Sequence, residues 1–147
     1  MKIAEVKKGL LDQMAVAFPK KKFKYYSQAV VENYERPCFF TQLKPIDMSP
    51  ENHNTVKNTF AFYITYMPKS VDEVEQYEVV EKIREIFGLY IKVGDRAVDV
   101  TEFEYDFTGT NRNVLQITVT LEWMDHINRK VTEPVIESVE LLNRMED

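Results

Sequence analysis

The sequence predicts an α+β fold: a small, mainly antiparallel sheet packed by two amphipathic helices, with a long loop and a C-terminal extension. Two segments of the 147-residue chain repeat apolar residues at three- and four-residue steps, which is typical of helices that bury one side. Residues 59–67 are rich in aromatic and β-branched side chains, which suit a packed strand. Residues 114–124 alternate apolar with polar side chains, which predicts a strand with one covered face.

The first helix is predicted over residues 2–18 and ends before Pro19, because proline cannot continue a helix without losing a hydrogen bond. Gly9 lies inside this helix and weakens it by about 1 kcal/mol relative to alanine. The apolar stripe of the helix consists of Ile3, Val6, Leu10, Met14 and Phe18.

The second helix is predicted over residues 71–87. Ser70 and Glu73 have the spacing of a capping box, in which each side chain accepts a hydrogen bond from the backbone N–H of the other residue. Gly88 follows the last apolar residue and suits the backbone conformation that often ends a helix.

The central strand of the sheet is predicted at residues 59–67, where Pro68 stops it. Both of its faces are fairly apolar, so we expect it to be covered on both sides, or on one side and by a partner subunit. Phe60, Phe62, Ile64 and Tyr66 share one face, and Ala61, Tyr63, Thr65 and Met67 share the other.

Two of the predicted strands, 97–107 and 114–124, should form a hairpin. In the first of these the apolar side chains change face, which requires a β-bulge near Asp99 to Glu102. The polar, proline-containing segment from Pro45 to Asn58 is predicted to be a long loop. The other predicted strands are 23–27, 37–43 and 89–93.

The composition limits the classes of function. The net charge of −5 argues against a dedicated nucleic-acid binder, although the first 24 residues are basic and the end is acidic. Cys38, the single cysteine, cannot form an internal disulfide, which is compatible with a reducing cytoplasm. The chain shows no apolar segment typical of a signal peptide or a membrane span, so we expect a soluble protein used without export.

The sequence contains no recognisable catalytic constellation. His53 and His126 lack metal-ligand spacing with Cys38, and the four glycines form no phosphate-binding loop, so neither a metal site nor a cofactor is expected. Three acidic residues alternate along one predicted strand and resemble paired catalytic carboxylates, but such a row more often faces solvent. They are Glu102, Glu104 and Asp106.

Charged and polar residues supply candidates for contacts between subunits. A run of lysines follows the first helix; it is either a solvated loop or a contact with an acidic neighbouring subunit or with DNA. The long loop and the acidic row are the other candidate surfaces. The candidate subunit-interface residues are Lys20, Lys21, Lys22, Lys24, Asp47, His53, Asn54, Glu102, Glu104 and Asp106.

The order of the predicted elements resembles that of the phage tail terminator family. The resemblance covers about residues 1–125, predicted as a single domain, and its most specific parts are Pro37-Cys38-Phe39-Phe40 and Tyr63-Ile64-Thr65-Tyr66-Met67-Pro68. Residues 126–147 match no motif of the family. They form the predicted C-terminal extension, which is either helical or becomes ordered on assembly.

This resemblance implies a structural virion protein with an α+β fold and no enzymatic activity. Proteins of this family cap the tail tube as a ring, commonly of six subunits, stop its polymerisation and present a surface for head–tail joining. The implied partners are further copies of the chain, the tail tube protein, the neck or head connector protein and, in contractile tails, the sheath protein. DNA is expected only as it passes through the ring lumen, and no membrane contact is implied. The implied location is the head-proximal end of the virion tail, and the host cytoplasm during assembly.

Two other classes of protein fit the same patterns. A neck or head-completion protein has the same character and differs in the neighbour it contacts. A small-ligand-binding or enzymatic α+β domain is also compatible, because fold-level patterns do not exclude a pocket.

Overall fold

The computed structural model of the protein describes residues 1–27, 34–109 and 113–127. The predicted C-terminal extension therefore lies outside the described residues from residue 128 onward. The helices and strands follow in the order α1 (Ile3–Ala17), β1 (Lys24–Ser27), β2 (Cys38–Pro50), β3 (Thr55–Met67), α2 (Glu73–Phe87), β4 (Tyr90–Val93), β5 (Arg96–Thr108) and β6 (Val114–His126).

All six described strands belong to one sheet in the order β1-β2-β3-β6-β5-β4. β1 and β2 are parallel and every other neighbouring pair is antiparallel. Strands account for 51% of the described structure, and the sheet curls into a mixed half-barrel. The predicted fold class, a small and mainly antiparallel sheet packed by two helices, is therefore wrong: the sheet is large and dominates the fold.

The error arose in the segment that was predicted to be a long loop. β2 continues to Pro50 and β3 already begins at Thr55, so the two strands form a hairpin with a short turn. β1 pairs with β2 only up to Thr41, and beyond it β2 is an edge strand of the described sheet. A proline is tolerated on such an edge, because its missing N–H removes no ladder hydrogen bond. A register shift between Pro45 and Asp47 absorbs the remaining irregularity.

One face of the sheet, which we call the helix face, carries the core. The predicted inward residues of β3 are all buried there, with at most 1% of their surface exposed, and β6 contributes a matching row. Along the β3–β6 ladder the two rows lie directly opposite each other. The paired residues are Phe60 and Leu121, Phe62 and Val119, Ile64 and Ile117, and Tyr66 and Leu115.

The predicted first helix is confirmed, and its packing explains why a glycine occupies position 9. Val6, Leu10 and Met14 are completely buried. A Cβ added to Gly9 would lie 2.9 Å from the Cγ1 atom of Val93, closer than real side chains approach. Glycine therefore lets α1 approach β4, which offsets its poor helix propensity.

The second helix is also confirmed, but its predicted cap is wrong. α2 begins at Glu73, and the side chain of Asp72, rather than Ser70, accepts hydrogen bonds from the backbone of the first turn. Aspartate is as good an N-cap as serine, and its charge also suits the positive end of the helix dipole. The predicted C-cap, Gly88, is confirmed with a φ of 54°. The hydroxyl of Tyr66 donates to a carboxylate oxygen of Glu75 at 2.5 Å and joins β3 to α2.

The predicted hairpin of β5 and β6 is confirmed, as is its bulge. The register between these strands shifts between Val100 and Glu102, within the predicted interval. The shift lets Val98 and Val100 share the helix face with Phe103, although Phe103 follows Val100 by three positions, a spacing that would put them on opposite faces of a regular strand.

A polar cluster around Asp125 closes the end of the sheet. One carboxylate oxygen accepts from Arg96 Nη1 at 2.9 Å and from the Met1 amine at 2.8 Å. The other accepts from Asn58 Nδ2 at 3.0 Å and from Trp123 Nε1 at 3.2 Å. Arg96 also donates to the carbonyl oxygen of Met124. Burial raises the pKa of Asp125, but the hydrogen bonds from the amine, Arg96 and Trp123 outweigh it and leave the pKa below its ordinary value.

Replacing Trp123 by alanine should destabilise the protein by about 3–5 kcal/mol, because its side chain is 4% exposed and stacks on Phe60 with ring centroids 4.8 Å apart. The free energy of unfolding from urea titration measures this loss. Met124→Ala is the matched control, because Met124 follows Trp123 in the sequence and its own side chain is 46% exposed. A loss below roughly 1 kcal/mol for the tryptophan variant would show that the indole is not part of the core.

Replacing Asp125 by asparagine should cost about 1–3 kcal/mol at pH 7, because it removes a partly buried charge from four hydrogen-bond donors. The folded-state pKa is lowered, so the carboxylate stabilises the fold above the unfolded-state pKa of about 3.9, and this contribution is lost as the pH falls through the folded value. Urea titrations from pH 7 to pH 3 should therefore show the difference between wild type and variant shrinking at the acid end. Asp95→Asn, at an exposed turn, is the control and should change stability little at any pH. A difference that stays constant down to pH 3 would contradict the role of the charge.

Candidate assembly interface

The face of the sheet opposite the two helices is polar, and we call it the open face. Its central part forms a shallow depression of about 320 Å³. Ala61 is buried, while the other side chains that β3 turns to this side are only partly buried. Among the described residues, helices cover β3 on the helix face only; the predicted alternative, one covered side and a partner subunit on the other, stays a prediction. The side chains lining the depression include Gln42, Lys44, Tyr63, Thr65, Gln116 and Thr118.

The acidic row of β5 lies on the open face. The strand register puts Glu102 beside Thr120, Glu104 beside Thr118, and Asp106 beside Gln116. All three carboxylates are exposed, and no lysine or arginine in the described parts of the chain lies within ion-pair distance of them. This side of the sheet therefore presents a row of uncompensated negative charge.

The lysine run forms a turn between α1 and β1. Its positive charge is opposite in sign to the charge of the acidic row. The Pro19 carbonyl accepts hydrogen bonds from the backbone N–H groups of Lys22 and Phe23, each at 3.0 Å. The Phe23 ring anchors the turn by packing on Phe18, with centroids 5.3 Å apart. Lys20, Lys21 and Lys22 remain exposed around this anchor.

Lys24 begins β1 and shares the open face with the acidic row, because it is paired with Cys38 on that side. Its amine lies 3.9 Å from a carboxylate oxygen of Glu35, and both side chains are more than half exposed. Such a pair contributes little to stability and leaves the lysine available to other partners. We call Lys20, Lys21, Lys22 and Lys24 together the basic edge.

The remaining candidate residues lie at the far end of the β2–β3 hairpin, in β2 or in the short turn that follows it, rather than in a long loop. Asp47 is in β2, where its carboxylate accepts from Ser49 Oγ at 2.6 Å. Asn54 is in the turn, where its backbone N–H donates to Asn52 Oδ1 at 2.8 Å, and its carbonyl accepts from the Ile127 N–H at 2.7 Å. His53 is exposed at the tip. The structure thus separates the ten candidate residues into a basic edge, an acidic row and a hairpin tip.

The buried ionisable groups are held in their neutral forms. Cys38 is completely buried, and burial raises the pKa of its thiol, although the charge of Arg36 partly opposes this. Burial raises the pKa of Tyr25 to about 12, and the hydroxyl donates to the Phe18 carbonyl at 2.7 Å. Burial and the nearby Glu75 also raise the pKa of Tyr66. A thiol nucleophile requires the opposite shift, so none of these groups is activated for chemistry.

Within residues 1–27, 34–109 and 113–127 no group of three or more histidine, cysteine, aspartate or glutamate residues is placed to hold a metal ion. None of the described helices has the length and apolar character needed to cross a membrane. The polar cluster that the sequence does not predict is centred on Asp125, whose partners Asn58 and Arg96 are 67 and 29 residues away along the chain. No local pattern indicates such a cluster.

Comparison with known proteins supports the fold and identifies a family. Among the solved structures that match, one has a TM-score of 0.54 and 12% sequence identity, over 88% of this chain and 99% of the other. At this identity the likeness shows the fold alone. No curated protein matches the chain. The family model described as "Phage tail terminator protein" matches residues 5–133, which is most of the sequence and includes every described element apart from the first residues of α1. The chain therefore belongs to the phage tail terminator family, whose members have a structural role in the phage tail.

Proposed function

We propose that the protein caps the tail tube as a ring of identical subunits, ends tube polymerisation and provides the surface for head–tail joining. The observation that carries this proposal is the family match over residues 5–133. The charge distribution supports it independently of the family: the basic edge and the acidic row lie at opposite ends of one sheet, separated by β2, β3 and β6.

Opposite charges at opposite ends of a subunit favour a head-to-tail contact between copies. A contact of this kind joins two different surfaces, and it closes into a ring when the rotation between neighbours allows it. Two surfaces of like charge repel each other, so a contact between the acidic rows of two copies is disfavoured. We propose six subunits in the ring, as the family resemblance implies.

The partners follow from this arrangement. A ring at the end of a tube must contact the tube protein on one side and the neck or head connector protein on the other. In a contractile tail the sheath protein is a further neighbour. DNA passes through the ring lumen in this proposal, and the chain needs no enzymatic activity, cofactor or membrane contact for the task. Assembly takes place in the host cytoplasm, and the finished ring remains at the head-proximal end of the tail.

Deleting the gene should yield tails without length control, because nothing then stops the tube from growing. Electron microscopy of particles from the deletion strain measures the tail lengths, and a plasmid-borne wild-type gene is the control that should restore a single length. Tails of normal length without the gene would contradict the proposed function.

A reconstruction of the head–tail junction should show this chain as a closed ring at the head-proximal end of the tube. The expected position follows from the role of ending polymerisation. The copy number and its location along the tail are read directly from the density. A single copy at the junction, or copies distributed along the tube, would overturn the proposal.

A further inference from the structure

We propose that neighbouring subunits join edge to edge, with β1 of one subunit pairing with the open edge of β5 in the next, so that one sheet continues from subunit to subunit. This inference rests on the proposed ring and names the surfaces that close it. The partner at each edge is a second copy of this chain. Three features of the subunit support this contact: the open strand edges, the directions of the strands and the side chains that they carry.

β5 has a long open edge. β4 pairs with β5 only from Arg96 to Asp99, and one further hydrogen bond joins the Val100 N–H to the Leu89 carbonyl. Residues 102–108 pair with β6 on one side and with no described strand on the other. The Phe107 N–H already donates to Asp106 Oδ1 at 2.8 Å, so the outward backbone groups that another strand could use are those of residues 102–106.

β1 provides the open edge at the other end of the sheet. It pairs with β2 from Lys24 to Ser27, and no described strand lies beyond it. The strand contains no proline, and Phe23 and Tyr25 fix it in place by packing on Phe39, with centroids 5.6 and 5.4 Å away. It is a short but rigid template for pairing.

The other edges of the sheet are less suited to pairing. The free part of β2 carries Pro45, Pro50 and a register shift, which are common devices against edge-to-edge association. The edge strand β4 lies against α1, and Gln13 Nε2 donates to the Lys92 carbonyl at 3.4 Å. β1 and residues 102–106 of β5 are thus the two edges that remain suitable.

The strand directions agree with a continuous sheet. β1 is parallel to β2, and three successive antiparallel steps through β3 and β6 lead to β5, which therefore runs opposite to β1. A rotation about an axis along the strands preserves strand direction. In a ring built by such a rotation, β1 of one subunit meets β5 of the next in antiparallel orientation, the more stable kind of pair.

The side chains on the two edges complement each other on both faces. The same rotation keeps the open face of every subunit on one side, so Lys24 of one copy comes next to the acidic row of the next. The segment from residue 18 to residue 27 has four lysines and no acidic residue, and residues 101–108 have three carboxylates and no basic residue. On the helix face, Tyr25 of one copy would approach Tyr105, whose ring is 49% exposed, and its neighbour Phe107.

Paired charge reversals test this contact in the deletion strain described above. One variant carries Lys22→Glu and Lys24→Glu, and the other carries Glu102→Lys and Glu104→Lys. Each variant alone puts like charges on both edges, so each should lower the yield of tails of normal length by at least about tenfold. Co-expression of the two variants should restore the yield, because an alternating ring pairs an acidic β1 with a basic β5 and a basic β1 with an acidic β5.

Matched controls carry the same changes in net charge on exposed positions away from these edges. They are Lys8→Glu with Lys69→Glu, and Glu78→Lys with Glu85→Lys, which should retain the wild-type yield. Urea titration of each purified variant confirms that it folds. If folded edge variants keep the wild-type yield, or if co-expression fails to restore it, the edge contact is wrong. The proposed function is unaffected by that result as long as the wild-type gene restores tail length, so the two proposals fail separately.

Carbodiimide treatment of assembled wild-type tails gives the geometric test, since this reagent joins amines to carboxylates that are in contact. Mass spectrometry should find Lys22 or Lys24 linked to Glu102, Glu104 or Asp106 of another copy. Links that join other lysines to other carboxylates of neighbouring copies, without any link between β1 and β5, would place a different surface at the contact.

Discussion

The register between β3 and β6 is the constraint on which the rest of the structure depends. The two strands pair over twelve successive positions, and every second pair is buried on the helix face. A slip by one residue would move Phe60, Phe62 and Ile64 to the open face and bring their polar neighbours into the core. Both helices, the hairpins and the positions of the charged edges follow from this ladder, because each is placed relative to one of its two strands.

The elements that could be predicted from the sequence are those in which the spacing of apolar residues shows which side is buried. The stripe of Val6, Leu10 and Met14 and the alternation around Leu121 each need only a short window of sequence to be recognised. The bulge of β5 was predictable for the same reason, since a change of face within one strand has no other regular solution. The size of the sheet was not predictable in this way. Pro45 and Pro50 are typical of a loop. They are compatible with a strand only because no described strand pairs with that edge of β2, which the strand order alone shows.

The charged residues proposed for the interface are visible in the sequence, but their arrangement in space is not. A lysine run and an acidic row are visible in the sequence, whereas their positions at opposite ends of one sheet depend on the strand order β1-β2-β3-β6-β5-β4. His53 and Asn54 were grouped with them only because the hairpin was mistaken for a loop. Three of the four donors to Asp125, namely Met1, Asn58 and Arg96, come from distant parts of the chain, so this cluster depends on tertiary structure.

The burial of Cys38 has a consequence for the life of the particle. The proposed function takes the protein from a reducing host cytoplasm into an oxidising medium, where an exposed thiolate would react with oxygen species or with the thiols of other proteins. Here the sulfur is out of contact with solvent and its proton is retained, because burial raises its pKa. A tail protein with this single, protected cysteine can pass between the two environments without covalent damage or unwanted cross-linking at that residue.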